Sequence, residues 1–148
     1  MGTKKMTKEE KVEHNRVLDI IYYFLRGICS AGGGNYVECP TACIQSHYKE
    51  NTWLKFTITL CRRSNYYKNT FNKVLDLGHE LGHTYKIMHT NPLILQKREN
   101  GHYNEVEATS FLVEVLDNFN IKLTKYELEK LKKLVKASEN FDKRYNRS

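Results

Sequence analysis

The sequence predicts a helix-rich α+β fold, a single domain carrying one small antiparallel sheet. Three observations carry that expectation. Apolar residues recur at helical spacing in four segments, one stretch alternates as a strand does, and 148 residues suit one core better than two.

Taken in order, Thr7-Lys8-Glu9-Glu10 has the form of a capping box, in which hydroxyl and carboxylate satisfy each other's backbone N–H. Val17, Leu18, Ile21, Tyr22, Leu25 and Ile28 follow at helical spacing, so the first helix is expected from about Thr7 to about Ile28. Gly32-Gly33-Gly34 ends it, and without the trailing Gly-Lys-Ser/Thr of a phosphate loop this run reads as a connector. Trp53 to Leu60 alternates Thr with Ile or Phe, and a shorter strand over Tyr36 to Glu38 would pair with it to make the antiparallel sheet. Asn69 or Asn72 caps the next helix, whose Val74, Leu75 and Leu77 lead into a histidine pair. Asn91-Pro92 breaks the chain. The run "GHYNEVEATSFLVEVLDNF" restarts a helix, and a basic terminal helix is expected from about Lys125 to Asn140.

Composition narrows the class. Apolar residues make up 40% and charged residues 28%, with no Pro-rich or Ser-rich tract, which favours a folded soluble domain over a disordered chain. The amino-terminal residues form no signal-peptide core and no later run reaches transmembrane length, so a cytoplasmic protein without membrane partners is expected. The formal charge of +7 favours anionic partners, and the Lys-rich terminal helix leaves nucleic acid open as one, although no DNA-binding motif accompanies it. Cys29, Cys39, Cys43 and Cys61 lack tight metal-ligand spacing and read as reduced thiols.

The chemistry concentrates in His79-Glu80-Leu81-Gly82-His83. Four helical residues advance the azimuth by about 400°, so the two rings lie about 40° apart and one turn apart in height, and both can reach one ion. Glu80, beside the first histidine, can take a proton from water without binding the metal. This is the mechanical content of His-Glu-x-x-His, for which Zn²⁺ suits the imidazole ligands and needs a third protein donor.

Two candidates offer that donor. His89 gives "HELGHTYKIMH" the spacing of a longer three-histidine signature, but Lys86 stands where a glycine turn is required. Glu105, with Glu107 as its competitor, shares a helix face with Ala108, Thr109 and Leu112; small Ala108 would let two helices approach, and Thr109 could orient a ligand. Glu107 points about 200° away from Glu105.

"HELGH" followed by "NEVEATSFLVEVL" resembles the ImmA/IrrE-like zinc metallopeptidases, whose second motif commonly reads Glu-x-x-Ala-Asn-x-Phe-Ala-x-Glu-Leu-Leu-Met-Pro. Glu105 falls on the glutamate ligand, Ala108 on the alanine, Phe111 on the phenylalanine, Glu114 on the second glutamate and Val115-Leu116 on the leucine pair. The likeness covers Asn69 to Leu116. Thr109, Leu112 and Asp117-Asn118 depart from the pattern, at positions bearing on the substrate groove rather than on the ligands.

The resemblance implies a zincin-like domain over residues 1–148 that hydrolyses a peptide bond in a protein substrate, such as a repressor or other regulator of a mobile element. In that reading His79, His83 and Glu105 hold Zn²⁺, Glu80 is the general base, and His102 or Tyr103 supplies the oxyanion donor. The strand Trp53 to Leu60 could pair with an extended substrate. The alternative keeps the fold without catalysis: a protein-binding or nucleic-acid-binding regulator whose metal is structural and closed by a fourth ligand, from His89, His102 or a cysteine.

Overall fold

The computed structural model describes residues 5–31, 35–39, 57–61, 68–89 and 105–145. Among them are helices α1 (Lys8–Ala31), α2 (Thr70–His89), α3 (Glu105–Asn118) and α4 (Lys125–Tyr145), and strands β1 (Asn35–Cys39) and β2 (Thr57–Cys61).

Each helix start has a local cause. Thr7 and Glu10 close the capping box, with Thr7 N to Glu10 Oε1 at 3.2 Å and Glu10 N to Thr7 Oγ1 at 3.1 Å. Asn69 rather than Asn72 caps α2, its side-chain oxygen accepting from Phe71 N at 2.9 Å. Asn72 is instead buried and accepts from Lys130 Nζ at 2.6 Å. Thr124 and Glu127 form a second capping box at the start of α4, with reciprocal bonds of 3.0 and 3.2 Å. Between α3 and α4 the chain turns at Asn120, whose φ of 56° is a left-handed conformation that asparagine tolerates.

Among the residues whose burial is described, the core comes from the four helices. Helix α2 is its centre: Phe71, Val74, Leu75, Leu77 and Leu81 are buried, together with His83 at its far end. A helix apolar over most of its circumference must be covered on more than one side. Helix α1 packs on one flank through Leu18, Ile21, Tyr22 and Leu25, and α3 on another through Leu112, Val115 and Leu116. Helix α4 then packs on α3 and contributes Leu131.

The expected α+β class with an antiparallel sheet is corrected. The packed body is all helical, and β1 and β2 pair with each other in parallel, from Asn35↔Thr57 to Cys39↔Cys61. The antiparallel expectation treated successive strands as a hairpin. Parallel neighbours need a crossover of about a dozen residues or more, and residues 40–56 supply that length. The first part of the expected longer strand, Trp53 to Phe56, lies outside the described residues. Helix α4 extends beyond the expected end at Asn140 to Tyr145, and that extension bears on the site below.

Candidate metal centre

Helix α2 continues unbroken through both histidines to His89. It therefore sets the His79 and His83 rings one turn apart, edge to face, with centroids 4.8 Å apart. The glycines of the same helix decide what approaches them. A Cβ built on Gly82 would overlap the carbonyl oxygen of Ala108 and lie 2.5 Å from its Cα, so α3 presses directly on the backbone of α2 there. One turn earlier, a Cβ on Gly78 would meet Leu112 Cδ1 at 2.5 Å. This contact brings the first residue of α3, Glu105, over the histidines.

Three atoms then converge. Glu105 Oε2 lies 2.6 Å from His79 Nε2 and 3.2 Å from His83 Nε2, and the two nitrogens are 3.3 Å apart. The side chains are 13%, 8% and 24% exposed for His79, His83 and Glu105, so water screens them only in part. Burial pushes the Glu105 carboxyl up, but hydrogen bonds and charge from His79 and His83 outweigh it and hold the group well below the usual carboxylate range. Glu105 is thus an anion facing two imidazole nitrogens. Such a cluster calls for a shared cation, either a proton or a metal ion.

The opposite side of His79 is also held. Its Nδ1 lies 2.9 Å from Thr109 Oγ1, which lies 2.7 Å from Ser138 Oγ, and the Ser138 hydroxyl donates to the carbonyl of Leu134 at 2.8 Å. Asp142, one turn beyond Ser138 on α4, accepts from Glu105 N at 3.0 Å and Val106 N at 2.9 Å, capping α3 where it carries Glu105. The sequence reading assigned roles to neither Ser138 nor Asp142. A signal for the first was present: Glu127, Leu131, Leu134 and Ser138 recur on one stripe of α4, and a small polar residue on a buried stripe requires a partner.

Among the other candidates, a Glu80 carboxylate oxygen and one ring nitrogen of each histidine lie within 4.8 Å of one another. Glu107 is exposed on α3, away from the cluster that Glu105 joins. Because α2 stays helical across Lys86, the chain makes no turn there of the kind a third histidine ligand would need. His102 and Tyr103 lie outside the described residues. Among the described residues, no helix is long and apolar enough to cross a membrane. Compared with known proteins, the chain matches no family model, no curated protein and no solved structure.

Proposed function

We propose that this chain is a zinc-dependent peptidase that hydrolyses a peptide bond in a protein substrate. The observation that supports this reading is the meeting of His79 Nε2, His83 Nε2 and Glu105 Oε2 at separations of 2.6 to 3.3 Å. Donors on a tetrahedron with bonds of about 2.05 Å stand about 3.3 Å apart, so two of the three separations fit as they are. The shortest opens by a small rotation of the Glu105 side chain. Two imidazoles and one carboxylate also form the three-ligand donor set of a hydrolytic zinc site, which leaves one position for water or substrate.

When bound, the ion would polarise the scissile carbonyl and make water a better nucleophile at neutral pH. The protein's own groups do the rest. Glu80, outside the converging triad but beside it, takes the proton of the attacking water and returns it to the leaving amine. The substrate class, a regulatory protein of a mobile element, rests on the motif resemblance alone.

The position of Glu80 also favours a second reading, in which it closes the coordination shell and the metal is structural. Two variants separate the readings. Glu105→Ala should lose zinc by metal analysis. Glu80→Gln should keep near-native zinc and lose roughly 10²-fold or more in cleavage rate. Zinc lost from Glu80→Gln would favour the structural site, and zinc retained by Glu105→Ala would overturn the ligand assignment.

A further inference from the structure

The three contacts of the relay behind His79 can all be hydrogen bonds at once in only one direction. A carbonyl oxygen can only accept, so the single hydroxyl hydrogen of Ser138 is committed to Leu134, 2.8 Å away. Ser138 Oγ must therefore accept at its 2.7 Å contact with Thr109, which commits the Thr109 hydrogen. Thr109 Oγ1 is left to accept at its 2.9 Å contact with His79, so Nδ1 carries a proton. In a neutral imidazole the other nitrogen then bears a lone pair, and that nitrogen is the Nε2 facing Glu105 and His83.

We infer that Ser138 of the C-terminal helix is a positioning residue of the metal centre: through Thr109 it fixes the proton of His79 on Nδ1 and presents Nε2 to the ion. Thr109 alone does not determine this. A threonine hydroxyl can donate as readily as accept, and if it donated to Nδ1 the neutral ring would carry its proton on Nε2, where it blocks coordination. A carboxylate behind the histidine would need no such help, since it only accepts. With threonine in that place, the direction has to be imposed from the next residue along. Ser138 is 4% exposed, so water competes poorly for its hydroxyl.

The inference rests on the zinc-site reading, and the experiment distinguishes their failures. The full chain and its variants are titrated with Zn²⁺ against a chromophoric chelator, and unfolding of the metal-free proteins is followed in parallel. Ser138→Ala should weaken zinc binding about tenfold, the lower end of the range for residues that orient a metal ligand. Ser138→Thr, which keeps a hydroxyl able to bond the same carbonyl, should recover most of the loss. Thr109→Val should weaken binding by about 10- to 100-fold. Adding Ser138→Ala to Thr109→Val should cost little more, because both act on one relay. A purely structural Ser138 would lower the metal-free unfolding midpoint and leave the affinity at the native value; that outcome overturns the relay and leaves the zinc site standing. Losses that multiply in the double variant also overturn it. Failure of the native chain to bind zinc overturns both.

Discussion

Gly82 is the residue on which the centre most directly depends, because its missing side chain is the space that α3 occupies. Backbone atoms of Ala108 fill that space, and backbone cannot rotate aside. Gly82→Ala should force α2 and α3 apart, cost about 1–3 kcal/mol and abolish the proposed zinc binding by moving Glu105 away from the rings. At Gly78 the obstacle is the end of the Leu112 side chain. Gly78→Ala should therefore lower the unfolding midpoint less and leave zinc binding closer to native, and an equal loss in the two variants would contradict this account. Cys29 illustrates the opposite case of a reactive group made inert. It is fully buried in α1, and burial pushes its thiol up to about 11, only partly offset by the Arg26 charge. At neutral pH Cys29 should resist alkylation in the native protein and react on unfolding, as mass spectrometry would show. At this scale the triad was legible in the sequence, since helical geometry alone puts His79 and His83 on one face and the Glu105 face could be drawn from Ala108, Thr109 and Leu112. For Ser138 the stripe of α4 marks the position but not the role, which depends on hydrogen-bond direction across two helices and is not encoded by periodicity.

Elements were legible where their ends carry local signals. The Thr7 capping box and the Asn69 cap use side chains within three residues of the N–H groups they satisfy, so α1 and α2 start close to where the sequence places them. Helix α3 is different, because its cap comes from Asp142, far along the chain. The same residue explains why α4 runs past its expected end: beyond Asn140 the aromatic residues Phe141 and Tyr145 are exposed and give no core signal, and what holds Asp142 is its contact with another helix. Asp142→Ala should remove two hydrogen bonds and a favourable charge at the start of α3, lowering stability by about 0.5–2 kcal/mol. Asp142→Asn, which retains an acceptor, should cost less in denaturant unfolding. Strand direction was out of reach for a related reason. Pairing of Asn35–Cys39 with Thr57–Cys61 is a long-range choice, and short alternating runs look alike whichever way they pair.

Across the whole molecule, the first and last described helices are tied by His14 Nε2 and Glu127, at 2.8 and 3.0 Å from the two carboxylate oxygens. Both side chains are nearly buried, and Glu127 also caps its own helix through Thr124 N. His14→Ala should leave the capping box in place while stranding one side of a buried carboxylate, destabilising the fold by about 1–3 kcal/mol. A native unfolding midpoint in that variant would show the tie to be incidental. That tie, the Ser138 relay and the Asp142 cap all belong to α4. During synthesis the HELGH segment and Glu105 leave the ribosome first, and the residues that orient them emerge only afterwards. A nascent chain thus carries the proposed ligands before it carries the parts that hold them together, so the candidate centre can take shape only once α4 has been translated and docked.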